Sequence, residues 1–192
     1  MRIIAGDAKG KNIIVPQRKA TRPATELVRG AMMSMLEAVA EDWSEVLDIY
    51  SGSGSLGLEA LSRGAGHVDF VEHERCCCDI IKQNLETIGC ASQAHVYCLD
   101  VPKAMAFLKK QYDVILADPP YRNQQIGEVL EKLGNSRLIG ENTVMAVTHS
   151  AHLTLAECYG RLKMLKEHRH GDSLIAIYRK DSSFDSHLPG PV

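Results

Sequence analysis

Long apolar runs are missing from this 192-residue sequence: none approaches the roughly 18 residues that a bilayer-spanning helix needs, and no charged-then-apolar leader opens it. Both absences predict a soluble, cytoplasmic protein. Cys-x-x-Cys pairs are missing too. The six cysteines stand at 76, 77, 78, 90, 98 and 158, a spacing that suggests neither a zinc site nor a thioredoxin-like redox motif. Neighbours on a helix point about 100° apart, so Cys76, Cys77 and Cys78 are not expected to converge on a metal ion. What is present is ordinary: 45% hydrophobic and 24% charged residues, in a chain long enough for one well-buried core.

Charge is unevenly placed. Residues 1–30 hold seven basic side chains (Arg2, Lys9, Lys11, Arg18, Lys19, Arg22 and Arg29) against Asp7 and Glu26, a balance of +5 within a chain whose net charge is −2. Residues 31–192 therefore carry −7. A basic arm on an acidic body is an electrostatic footprint for a polyanion, and Arg2, Lys9, Lys11, Arg18, Lys19 and Arg22 are its candidate nucleic-acid contacts.

In chain order, two β-like runs, Arg2 to Ile4 and Asn12 to Val15, flank a glycine-containing turn and predict a small ribbon. Thr25 is placed to cap a helix over Glu26 to Ala40 that buries Val28, Met32, Met35, Leu36 and Val39. From Glu45 strands and helices alternate. Strands are expected at 46–50, 68–72, 96–99, 112–117 and 144–147, with helices at 56–63, 75–88, 103–110 and 126–133, then a hairpin of 162–167 and 173–179. Alternation of this kind predicts an α/β fold, a mostly parallel seven-stranded sheet with helices on both faces and the last strand inserted antiparallel. The expected organisation is an N-terminal extension over 1–42 packed on a core domain at 43–180, with a disordered tail at 181–192.

Ligands of such sheets lie beyond the carboxyl ends of the strands. There Gly52, Gly54 and Gly57 form Gly-x-Gly-x-x-Gly between a strand and a helix, and Glu72 follows Gly52 by 20 residues at the end of the next strand. This spacing marks a nucleoside, with Glu72 on the ribose hydroxyls and the glycines allowing close backbone approach. It fits NAD and S-adenosylmethionine alike. Asp48 tilts the choice: a carboxylate at the rim of the first strand would meet an ammonium and repel a pyrophosphate. Asp100 is placed to accept from an adenine amino group, with Val101 packing on the ring. Ser53 and His73, adjacent to these positions in the sequence, and Asp118 are further cofactor candidates.

The strand at 112–117 runs into Asp118-Pro119-Pro120-Tyr121. Neither proline can donate to a sheet ladder, so the chain must leave the sheet in a stiff turn. A planar exocyclic amine has its lone pair delocalised into the ring. It becomes nucleophilic when two acceptors take its N–H bonds, and Asp118 with a prolyl carbonyl supplies two, while Tyr121 offers a face for stacking.

The stretch from Leu47 to Ala65, with Arg22-Pro23-Ala24-Thr25, Glu72, Asn84 and Asp118 to Tyr121, resembles the bacterial RsmD-type family. These are S-adenosylmethionine-dependent enzymes that methylate N2 of a guanine in 16S ribosomal RNA. The resemblance runs from about Arg2 to Arg179 and implies a Rossmann-like class I methyltransferase fold. It also implies a cofactor site over Asp48, Ser51, Gly52, Gly54, Glu72 and Asp100, and a guanine amine held at Asp118 to Tyr121. The segment at Arg22, Pro23 and Ala24 would close over the cofactor or contact RNA. Ala24, Tyr50-Ser51 and Met32-Met33 depart from the family's usual Thr, Phe-Ala and Leu-Phe. The expectation is direct methyl transfer by a monomer, with no metal, acting on ribosomal RNA free or within the small subunit. A DNA adenine or cytosine amino methyltransferase would share the tetrapeptide but usually needs a target-recognition domain, for which no stretch is long enough. A dehydrogenase would leave Asp118 to Tyr121 idle, and an RNA-binding assembly factor would leave all three strand-end acids unused.

Overall fold

The structure is a computed structural model that describes residues 1–16, 25–120 and 125–181. Its centre is a sheet whose middle strands are buried on both faces. Strand β1 (Glu45–Ile49) has Val46, Leu47, Asp48 and Ile49 all buried, the signature of a central parallel strand. Strands β2 (His67–Glu72), β3 (Ala94–Cys98), β4 (Tyr112–Ala117) and β5 (Ile139–Ser150) run parallel to it, and β8 (Ser173–Lys180) pairs antiparallel with β5, β7 (Leu162–His170) antiparallel with β8, and β6 (Cys158–Tyr159) antiparallel with β7. The order is β3-β2-β1-β4-β5-β8-β7-β6.

Alternate side chains of each strand enter different layers. Val114 and Leu116 of β4 pack with helices α1 (Glu26–Glu37), α2 (Ser55–Ser62) and α3 (Arg75–Ile88), while Ile115 and Ala117 face α4 (Val101–Phe107) and α5 (Ile126–Gly134). Thr25 caps α1 as expected, its hydroxyl accepting from the Val28 N–H at 3.3 Å. Gly89 ends α3 in the left-handed conformation, φ +83°.

Several expectations need correction. Eight strands, not seven, are found among the described residues, because two-residue β6 is too short to leave a periodic signal. Strand β5 starts at Ile139, well before 144, since its ladder to β4 passes through an irregularity between Tyr112 and Val114. Helix α1 stops at Glu37, and α4 occupies 101–107 because Pro102 suits a first helical turn.

The N-terminal ribbon reduces to one bridge, Arg2 to Asn12. Its apolar residues Ile3, Ala8 and Ile13 are buried in the same layer as α1, α2 and α3. Buried Glu59 accepts from the N–H groups of Ile4 and Ala5 at 2.9 and 3.0 Å and faces buried Arg29, whose Nε is 3.7 Å away. Gly6 lies so close to the end of α2 that a Cβ would sit 1.7 Å from the Ser62 carbonyl oxygen. Among the described residues no helix is long and apolar enough to cross a membrane. The expected tail beyond Asp181 lies outside the described residues.

Candidate active site

Four neighbouring strands end in acids. In sheet order these are Asp100 after β3, Glu72 on β2, Asp48 near the end of β1 and Asp118 after β4, so the predicted carboxylates share one edge of the sheet.

Asp48 is 1% exposed. Its Oδ2 accepts from the Gly57 N–H at 2.9 Å, whereas Oδ1 is buried without a partner. Burial pushes this carboxyl up to about 8, the Gly57 N–H works against the rise, and the charges of Asp118 and Glu72 add to it. The chain then turns sharply: Tyr50 is the one described non-glycine residue at positive φ, +59°, and Gly52 and Gly54 follow at +55° and +78°. Gly57 serves packing, because a Cβ there would lie 2.3 Å from Phe70 Cε1 of β2. Around Gly52 the space is open.

Glu72 braces this turn. Its Oε2 accepts from the Gly52 N–H at 2.9 Å and its Oε1 from the Glu74 N–H at 2.8 Å. His73 Nδ1 is 3.0 Å from Oε1, on a largely exposed ring. The Ser51 hydroxyl is turned inward, donating to the Asp48 carbonyl at 2.6 Å and accepting from the Val71 N–H at 3.1 Å, which staples β1 to β2. Buried Ser53 offers its carbonyl to Asn84 Nδ2 at 3.0 Å. The same Asn84 side chain holds Ile14 through both its N–H and its carbonyl, at 2.7 and 2.9 Å, and so ties the N-terminal segment to the glycine turn.

Asp100 is half-exposed and pairs with Lys103 at 2.7 Å, which holds its carboxyl below the usual range. Val101 beside it is buried. Asp118 is half-buried, Pro119 buried and Pro120 exposed. The Thr148 hydroxyl, across the β4–β5 ladder, donates to Asp118 Oδ1. Tyr121 lies outside the described residues.

Among the described residues, Lys9 and Lys11 do not lie at this edge. Lys11 Nζ donates to the Thr87 and Ile88 carbonyls at 3.3 and 3.2 Å, at the C-terminus of α3 and therefore at the opposite end of the sheet. Lys9 is exposed in the turn that docks on Ser62 of α2, at that same far end, and Arg2 is exposed with its Nε 3.5 Å from Glu26. Arg18, Lys19 and Arg22 lie outside the described residues.

Sequence reasoning missed Thr148, which sits one residue beyond the predicted strand, and it gave Asn84 and Glu59 no role. A polar residue beside apolar ones was the available signal for Thr148 and Glu59, whereas Asn84 stands among polar neighbours and gave none. Glu74, Cys76 and Cys77 bring three potential metal-ligand atoms within 4.8 Å of one another, a grouping in which Cys78 takes no part. Side chains of a first helical turn lean back toward its N-terminus, so both thiols reach Glu74 at the cap. A separate cleft of about 630 Å³ lies between β2, β3 and the end of α4. Its buried acid, Asp69, is already engaged by Tyr112, Lys110 and His67.

Residues 1–179 match the family model described as Conserved hypothetical protein 95. The Bacillus subtilis protein YlbH is 32% identical over 183 residues, covering 94% of this chain and 99% of that protein. Ribosomal RNA small subunit methyltransferase D of Escherichia coli is 28% identical over 97% of this chain and 93% of its own. The solved structure of Escherichia coli yhhF superposes with a TM-score of 0.78 at 28% identity, covering 94% of this chain and 98% of that one. The chain belongs to the Conserved hypothetical protein 95 family, the RsmD-type methyltransferases.

Proposed function

We propose that this chain methylates the exocyclic N2 of a guanine in 16S ribosomal RNA, with the methyl donor seated along the acids that end β1, β2 and β3 and the base held at Asp118. The observation that carries the reading is the alignment of Asp100, Glu72, Asp48 and Asp118 along one edge of four adjacent strands. The residues fit S-adenosylmethionine. Asp48 Oδ1 is a buried acceptor without a donor, suited to an ammonium, and open space beside Gly52 admits close approach to the backbone. Glu72 has lone pairs left for ribose hydroxyls, and Asp100 with buried Val101 suits adenine.

When bound, S-adenosylmethionine supplies a methyl group on a positively charged sulfur, already activated for transfer. Asp118 and the Pro119 carbonyl accept the two N–H bonds of the guanine amine and leave its lone pair for attack, with Tyr121 stacking on the base. Held along Asp48, Glu72 and Asp100, S-adenosylmethionine would supply that methyl group to the amine and leave as the thioether S-adenosylhomocysteine, and Asp118 or water accepts the proton the nitrogen sheds. Arg18, Lys19 and Arg22, which precede α1 in the sequence, contact RNA phosphates, as does Arg2. The enzyme acts as a cytoplasmic monomer on the small ribosomal subunit or its precursor.

The test is calorimetric titration with S-adenosylhomocysteine and, separately, NAD, followed by turnover of Asp118→Ala. Micromolar binding of the former alone, with turnover in the variant reduced on the order of 10²-fold or more, is the expected outcome. Binding of NAD alone, or near-normal turnover by Asp118→Ala, contradicts the reading.

A further inference from the structure

Immediately after Glu72 the chain builds a second set of donors. Glu74 occupies the N-cap position of α3, yet its side chain makes no capping bond to the helix. Its Oε2 instead lies 3.9 Å from Cys76 Sγ and 3.6 Å from Cys77 Sγ. A tetrahedral zinc ion with Zn–S of about 2.3 Å and Zn–O of about 2.0 Å spaces its sulfur and oxygen ligands about 3.5 Å apart and two sulfurs about 3.8 Å apart. The three donors, all within 4.8 Å of one another, thus stand close to three corners of such a tetrahedron.

We propose that Glu74, Cys76 and Cys77 form a site for one thiophilic divalent cation of the zinc class, with water as the fourth ligand. One carboxylate and two thiols match the hard and soft preferences of zinc and disfavour magnesium or calcium, which take oxygen alone. Cys77 is buried and Cys76 exposed, so the ion has one inner wall and one open face for entry. The two thiol protons leave to solvent as the metal–sulfur bonds form, and no oxidant or reductant is involved.

The site is coupled by a short path to the glycine turn. The Glu74 N–H donates to Glu72 Oε1 at 2.8 Å, and Glu72 Oε2 holds Gly52. An ion that fixes Glu74 therefore stiffens the segment carrying Glu72. That consequence rests on the role proposed for Glu72, whereas the site itself stands on its own donors.

The experiment is titration of the full, reduced chain with Co²⁺ under anaerobic conditions, reading sulfur-to-cobalt charge transfer and the visible bands of tetrahedral cobalt. One equivalent binds and Zn²⁺ displaces it. Cys76→Ser, Cys77→Ser and Glu74→Gln each weaken binding by more than about tenfold, while Cys98→Ser and Cys158→Ser leave it unchanged. Because Cys77 is buried, exposed Cys76 decides the matter if Cys77→Ser fails to fold. Absence of charge-transfer bands in the wild type, or bands that survive Cys76→Ser and disappear in Cys98→Ser, overturns the site. S-adenosylhomocysteine binding is measured on the same samples, so failure of the metal site is distinguishable from failure of the proposed cofactor site.

Discussion

The Thr148 hydroxyl donates to Asp118 Oδ1 across the β4–β5 ladder, so one oxygen of the proposed catalytic carboxylate is fixed from the neighbouring strand. A carboxylate anchored on one side presents its other oxygen in a defined direction. Thr148→Val should lower kcat at least tenfold while leaving cofactor affinity within about twofold, because the loss is one of orientation. Thr148→Ser should restore most of the rate. Equal kcat in Thr148→Val and wild type would show that the hydroxyl does not position Asp118.

Asp48 makes the ligand-free protein sensitive to pH. Its carboxyl titrates near 8 when folded and near 4 when unfolded, so the folded state holds the extra proton between those values. This contribution to stability is full below about pH 4 and is lost as the pH rises toward 8. Denaturant midpoints measured from pH 5 to 9 should fall with pH, and Asp48→Asn should flatten the trend. An ammonium on the ligand favours the ionised form, so affinity for S-adenosylhomocysteine should rise over the same interval in wild type and not in Asp48→Asn.

Gly57 lets α2 lie against β2. Its added Cβ would meet Phe70 Cε1 at 2.3 Å, Phe70 Cζ at 2.7 Å and Val68 Cγ1 at 2.9 Å, all on side chains locked in the core. Gly57→Ala should destabilise by about 1–3 kcal/mol despite the better helix propensity of alanine. Urea unfolding at constant m-value is the check, and a neutral or stabilising result would place α2 farther from the sheet.

Glu59 and Arg29 are both completely buried, and Glu59 also holds the N–H groups of Ile4 and Ala5. Glu59→Ala removes those acceptors and strands a guanidinium in the core, a change expected to cost about 3–5 kcal/mol. Thermal unfolding with and without ligand measures it. A loss below about 1 kcal/mol would mean that the N-terminal segment is not anchored through this pair.

Much of the fold was legible because its central parallel strands are buried on both faces and read as largely apolar runs, as in Val114 to Ala117. The glycine turn and its acid at Glu72 were legible for the same reason that they work, namely that backbone must come close there. The N-terminal segment was not. Its short apolar runs look like a ribbon, but Ile3 and Ile13 join the core layer and the polar links run through Glu59 and Asn84, more than 50 residues away in sequence. Lys9 and Lys11 illustrate the same limit: charge can be counted along a chain, but only the docking of that segment on α2 and α3 turns them away from the strand ends. Adjacent thiols on a helix are divergent by rotation alone, and the lean of Cys76 and Cys77 toward Glu74 emerges only at the helix start.

The central claim is tested most directly by incubating small ribosomal subunits lacking the modification with the purified chain and isotopically labelled S-adenosylmethionine, then mapping the label by mass spectrometry of digested RNA. The account predicts a single N2-methylguanosine in 16S ribosomal RNA, absent when Asp118→Ala is used. Label on adenine or cytosine, label confined to DNA supplied in parallel, or no transfer by a chain that binds the cofactor would contradict it.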